Sequence, residues 1–251
     1  MLKILIPIII IFLLSACGKK GPLVPPEALV PAAVADLHVA QKGDFFQLSW
    51  SQPTKEAGGG RLTGLAGFEL FRREVLPPAE DCEQCQTAYR LLKKVDLDYL
   101  RVVDRLGNLL LVNDNGVETG KTYQYKVISR KKDGTPSPES NRARRQKVNP
   151  PLPPEVKATS QTTSILIELN PAQVEPAAVL SGYNIYRWRT GQSIPPIPLN
   201  DKPVTGNTFE DQRVERGVTY SYAVRTLVKA AGEEVESAPS NQVSGALAEP
   251  D

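Results

Sequence analysis

Residues 120–127 read Gly-Lys-Thr-Tyr-Gln-Tyr-Lys-Val, and residues 217–224 read Gly-Val-Thr-Tyr-Ser-Tyr-Ala-Val. In each stretch Tyr, Tyr and Val alternate with small or polar residues, the period-two pattern of a strand with one buried face. The same strand written twice points to a duplicated unit. Upstream, Gly67-Phe68-Glu69-Leu70-Phe71-Arg72-Arg73 aligns with Gly182-Tyr183-Asn184-Ile185-Tyr186-Arg187-Trp188. Downstream, Ser137-Pro138-Glu139-Ser140-Asn141 aligns with Ser237-Ala238-Pro239-Ser240-Asn241. Phe46, Leu48 and Trp50 alternate in an earlier strand of the first copy, as Ile165, Ile167 and Leu169 do in the second. Beyond the first seventeen residues no useful window has helical periodicity. Short strands at regular spacing predict an all-β fold of two tandem β-sandwiches.

The copies differ in length. Gly67 to Tyr123 spans 56 positions and Gly182 to Tyr220 spans 38, so the first copy carries 18 extra residues. The excess falls near Pro77-Pro78-Ala79-Glu80-Asp81-Cys82-Glu83-Gln84-Cys85. Lys55 to Gly64, with Gly58-Gly59-Gly60, reads as a mobile loop. Asn149-Pro150-Pro151-Leu152-Pro153-Pro154 favours polyproline II and a semi-rigid joint, and with it an elongated rod.

The strand with Trp50, the Gly-Tyr-x-Ile-Tyr-Arg strand, the Gly-x-Thr-Tyr-x-Tyr-x-Val strand and the Ser-x-Pro-Ser-Asn run resemble fibronectin type III domains. The resemblance covers about residues 31–148 and 152–247. It implies that Tyr123 and Tyr220 pack into their sandwiches and bond backbone near a strand corner, and that Leu169 fills the place of a core tryptophan.

At the N-terminus, Lys3 precedes an apolar run from Ile4 to Leu14, which ends in Ser15, Ala16 and Cys17. That order is a secretory signal, and the run is too short to cross a membrane. Leu14-Ser15-Ala16-Cys17 resembles the lipobox of bacterial lipoproteins, which implies acylation of Cys17; the alternative is a secretory signal with a chance cysteine. Several acyl chains, palmitate among them, suffice for stable anchoring. The following Cys17-Gly18-Lys19-Lys20-Gly21-Pro22-Leu23 resembles the opening of the small lipoprotein family that accompanies the lipopolysaccharide translocon. Glycine rather than aspartate at position 18 implies, on that resemblance, the outer membrane of a Gram-negative cell. The expected organisation is a signal peptide at 1–16, a lipidated Pro-rich tether at 17–30, a first domain at 31–148, a linker at 149–154, a second domain at 155–247 and a tail at 248–251.

A net charge of +2 gives no reason to expect a nucleic-acid partner. Three cysteines and one histidine leave few ligands for a metal, and no cofactor is expected. Cys82-x-x-Cys85 lacks the βαβ setting of a redox motif and the two further ligands of a zinc site, so a local disulfide in an exported loop is the favoured reading. His38 stands alone, and no nucleophile or phosphate-loop motif occurs, so no catalytic residue is nominated. Arg130, Lys131, Lys132, Arg142, Arg144 and Arg145 gather at the end of the first copy, either as an anionic-surface contact or as charges that protect a sheet edge. Tyr186 and Trp188 share one strand face and suggest an outer aromatic patch for a sugar or a protein. The expected function is a non-catalytic, membrane-anchored envelope module that binds or scaffolds another protein. Accessory work in outer-membrane or lipopolysaccharide assembly and carbohydrate binding are the alternatives; the partner is an unidentified envelope protein or glycan.

Overall fold

The structure, a computed structural model, describes residues 25–249 apart from Gln86 and Val102. The signal peptide, Cys17 and most of the tether lie outside the described residues. The first half contains β1 (His38–Lys42), β2 (Phe45–Ser51), β3 (Leu65–Val75), β4 (Arg90–Asp96), β5 (Asp104–Leu106), β6 (Leu109–Asp114), β7 (Thr122–Lys131) and β8 (Ala143–Gln146). The second contains β9 (Glu155–Ser160), β10 (Ile165–Asn170), β11 (Val179–Arg189), β12 (Thr208–Asp211), β13 (Tyr220–Ala230), β14 (Glu233–Glu236) and β15 (Val243–Gly245). Among the described residues no helix is long and apolar enough to cross a membrane.

In the first sandwich β1-β2-β6-β5 faces β4-β3-β7-β8; in the second β12-β10-β9 faces β11, β13 and β15. Alternation places Phe46, Leu48, Trp50, Phe68, Leu70, Tyr123, Tyr125 and Val127 in one core. Ile165, Ile167, Leu169, Tyr183, Ile185, Tyr220, Tyr222 and Val224 fill the other. Leu169 is buried at the position Trp50 holds in the first copy. Aligned on Phe68/Tyr183, Val95/Val204 and Asp114/Asp211, only 6 of the 18 extra residues fall between β3 and β4, near the expected Pro77–Cys85 stretch; the other 12 fall between β4 and β6, where they form β5 and its turns. Lys55 to Gly64 is more ordered than its glycines suggest: Lys55 bridges Arg61, and the Ala57 and Gly58 amides bond back to Val30 and Ala28.

The repeated motifs have matching physical roles. Where proline interrupts the approach to the last strand, serine hydroxyls replace the missing ladder: Ser140 and Ser137 accept from the Val127 and Ser129 amides, as Ser240 and Ser237 do from Val224 and Thr226. Asn141 brackets the Leu37 backbone through its amide side chain, and Asn241 brackets Val156. Tyr123 Oη accepts from the Glu118 amide at 3.1 Å and Tyr220 Oη from the Glu215 amide at 3.4 Å.

A buried polar triad is duplicated as well. Asp114 accepts from Arg72 Nη1 at 3.0 and 2.9 Å and from Tyr125 Oη at 2.9 Å. Asp211 accepts from Arg187 Nη1 at 3.1 and 2.8 Å and from Tyr222 Oη at 2.9 Å. Each guanidinium also lies over the ring of the neighbouring tyrosine, Tyr123 or Tyr220. Burial, with the adjacent carboxylate, pushes the phenols of Tyr125 and Tyr222 well above their usual range. Both stay protonated donors.

The sandwiches share a sheet. β14, the second arm of a hairpin with β13, pairs in parallel with β1 through Gln41↔Val235 and Lys42↔Glu236. A continuous ladder therefore runs β11-β13-β14-β1-β2-β6-β5 across both units. The Pro-rich segment is not the only connection between them.

Candidate binding surfaces

Two places concentrate charge. The first is the joint. Glu236 sits at its centre, accepting from Tyr186 Oη at 3.0 and 2.8 Å and from Asn184 Nδ2 at 2.6 Å. Lys42 Nζ donates to Tyr186 Oη at 2.9 Å and to the Pro196 carbonyl at 2.7 Å, with Glu236 at 3.7 Å. Burial pulls the Lys42 ammonium below its usual range, against the opposing pull of Glu236. Where β1 and β14 splay apart, Arg145 fills the gap: it donates to the carbonyls of Val39 and Glu234 and pairs with Glu233 at 2.8 Å. A groove of about 530 Å³ opens beside it, lined in part by His38, Arg144 and Glu234. This network locks two modules together; its polar groups are largely spent on one another.

The second place is the outer face of β3, β7 and β8. The registers Arg73↔Gln124↔Arg144 and Phe71↔Lys126 lay two cross-strand rows over this face, and Arg142 extends the second. The loop between β3 and β4 folds back onto it. Arg73 is almost wholly buried and donates to Gln124 at 2.7 Å and to Asp81 at 2.5 and 3.2 Å. Glu83 pairs with Arg142 and lies 3.8 Å from Arg73. Tyr89 packs among Lys126, Arg73 and Arg142. Cys82 and Cys85 form a disulfide at the exposed crest, with Cα atoms 5.4 Å apart. Beneath it a groove of about 650 Å³ remains open, lined by Arg73, Asp81, both cysteines, Thr87 and Arg90 among others. The Arg73 hydrogen bond holds the Asp81 carboxyl below its usual range.

Several expected sites need correction. Tyr186 is not part of an outer patch: only 1% exposed, it is covered by Lys42 of the first sandwich. Its strand face would meet solvent in an isolated unit, and here it meets a neighbour. Trp188, on the same face, is half-buried. The six basic residues do not form one surface. Arg130, Lys131 and Lys132 pair with Glu69, Glu56 and Asp98 at one end of β7. Arg142 and Arg144 lie on the outer sheet face, and Arg145 points the other way into the joint, 6% exposed. Strand alternation along β8 separates them. His38 is exposed, and among the described residues no group of three His, Cys, Asp or Glu is placed to hold a metal. Cys17 lies outside the described residues.

Sequence reading passed over Asp114, Asp211 and Glu236. The two aspartates had a signal: each stands nine positions before the first tyrosine of its repeated strand, Tyr123 or Tyr220. Glu236 had none.

A family model described as the fibronectin type III domain, SaeA third domain, matches residues 176–244, from just before β11 into β15. A search among curated proteins returns no match. Among solved structures, the chain is similar to the crystal structure of chicken CNTN1 FN1-FN3 domains, at 13% identity over 86% of this chain and 64% of that one, with a TM-score of 0.35. The chain thus spans less than two thirds of that structure's length. The fold is all-β, two tandem fibronectin type III-like sandwiches. A domain of this kind points to a non-enzymatic binding or scaffolding module.

Proposed function

We propose that the chain is a lipid-anchored scaffolding module of a bacterial cell envelope, held by Cys17 and presenting two rigidly joined sandwiches to a protein partner. The observation that carries the scaffolding part is the shared sheet. With β14 paired to β1 and Lys42 of the first sandwich bonded to Tyr186 and facing Glu236 of the second, the sandwiches hold a fixed spacing and offer their edges as one block. The anchoring part is supported by Lys3, the apolar run to Leu14, and Ser15-Ala16-Cys17.

Fractionation of cells producing the full chain tests the anchor. Wild-type protein is expected in the membrane with fatty acid on Cys17, and Cys17→Ala in the soluble fraction; soluble wild type with an unmodified thiol would refute it. The Cys17-Gly18-Lys19-Lys20-Gly21-Pro22-Leu23 run favours a second reading, an accessory role in outer-membrane or lipopolysaccharide assembly. Crosslinking in living cells that never recovers a component of that machinery counts against it. The carbohydrate alternative loses its platform with the burial of Tyr186.

A further inference from the structure

We infer that the outer face of β3, β7 and β8 is a docking site for an acidic peptide segment, which the chain's own Asp81–Glu83 loop occupies while the Cys82–Cys85 disulfide is closed. The inference rests on the reading of the chain as a protein-binding module and names one surface and one partner class for it.

Charge is the first support. Apart from Glu69, which Arg130 and Lys94 neutralise, the sheet face carries Arg73, Lys126, Arg142 and Arg144 against Glu139 of the following turn. Four cations against one carboxylate leave an excess of three, and the loop contributes Asp81 and Glu83 toward it. The loop also shows what the face accepts. Its carboxylates are two residues apart; Asp81 reaches Arg73 and Glu83 reaches Arg142, with the Tyr89 ring between the cations. An extended peptide with acidic residues at alternate positions presents the same spacing along one edge.

The manner in which the loop is held is the second support. The described residues of 77–88 supply nothing to the buried apolar core, and the open groove of about 650 Å³ beneath shows that the loop is not close-packed on the sheet. What holds it is ion pairing and the ring that fixes Asp81 and Glu83 on either side of Cys82. The Glu83–Arg142 pair is part-exposed, and pairs of that kind are individually weak and screened by salt, while the Arg73–Asp81 pair, with Arg73 nearly buried, is the stronger hold. The equivalent segment of the second sandwich is held differently: the Leu199 and Val204 amides donate to the Ile185 and Tyr183 carbonyls, and Asn200 accepts from the Ile185 amide, so backbone bonds rather than ion pairs fix it to β11.

Both cysteines are exposed, which admits a dithiol donor. Opening takes two electrons and two protons. A donor thiolate attacks one sulfur to give a mixed disulfide, the donor's second thiol displaces it, and the donor leaves as a disulfide with Cys82 and Cys85 as thiols. The freed loop loses the geometry that seats its carboxylates.

The test uses the full chain in detergent and a fluorescein-labelled ten-residue peptide of alternating glutamate and serine, read by anisotropy at fixed salt. Binding is expected to tighten about five- to tenfold on reduction with dithiothreitol, and equally in Cys82→Ser/Cys85→Ser, as screened ion pairs are exchanged. The exposed pair Arg142→Glu/Arg144→Glu is expected to abolish that gain. Hydrogen exchange at residues 77–89 is expected to rise on reduction before any peptide is added. Equal or undetectable binding in both redox states, a gain that survives the arginine substitutions, or unchanged exchange overturns the inference. So does a gain seen only with phosphatidylglycerol vesicles, which would assign the face to lipid. These outcomes are separate from the Cys17 fractionation and from capture of a protein partner by another surface.

Discussion

The two sandwiches bury the same polar triad and spend their edges differently. Arg72–Asp114–Tyr125 and Arg187–Asp211–Tyr222 agree in donors, acceptors and within about 0.2 Å in distance. At the periphery the first sandwich uses the loop between β3 and β4 to cover its own sheet, with a disulfide at the crest. The second lengthens the hairpin after its repeated tyrosine strand, and the added arm, β14, covers the edge of its neighbour. The interior carries the repeat, and the rims carry what is individual to each copy.

The largest expected effect tests the equivalence of the interiors. Asp114→Ala and Asp211→Ala each strand a guanidinium and a phenol, and each is expected to cost about 3 kcal/mol, the lower end for a broken buried pair because the arginines are partly exposed. Each cost is read from urea unfolding of its own variant; values differing by more than about 1.5 kcal/mol would break the comparison. Next, Glu236→Ala removes the acceptor shared by Tyr186 and Asn184 and the counter-charge of Lys42. A loss of about 2–3 kcal/mol is expected, with the transitions read by Trp50 and Trp188 moving apart; transitions that stay coincident would show that Glu236 is not what couples the units.

Smaller effects concern the rims. Cys82→Ser/Cys85→Ser opens a ring of four residues and is expected to cost at most about 2 kcal/mol in urea unfolding. A larger loss would contradict the loop's independence of the core. Smallest is the acid response of the same loop. Because Asp81 is depressed by Arg73, the stability it adds is present above the ordinary carboxylate value of about 3.9 and is lost as pH falls through the lowered folded value. Protection of the Leu76 amide, which donates to Asp81 at 3.2 Å, is expected to fall in that acidic range.

The cores and strands were legible because burial imposes local alternation: Tyr123, Tyr125 and Val127 declare their face without knowledge of a partner. The Ser-x-x-Ser-Asn runs were legible as motifs and gained a purpose only once the amides they serve were located. The joint was not legible. Tyr186 alternates correctly to the outer face, yet nothing in its neighbourhood tells that Lys42, 144 positions away, covers it. Arg145 reads as one more member of a basic cluster until the pleat turns it inward. Local pattern specifies a face and is silent on what meets that face.

The parallel pairing of β1 with β14 has a consequence for how the chain matures. Gln41 and its mate Val235 lie 194 positions apart, so this rung cannot close until the hairpin of the second sandwich has formed. Until then Gln41 and Lys42 form a bare, adhesive selvedge, open to a stranger's strand. A fragment cut at the prolines is therefore expected to clump through that seam, and the complete chain to escape this fate by sewing it shut with its own hairpin.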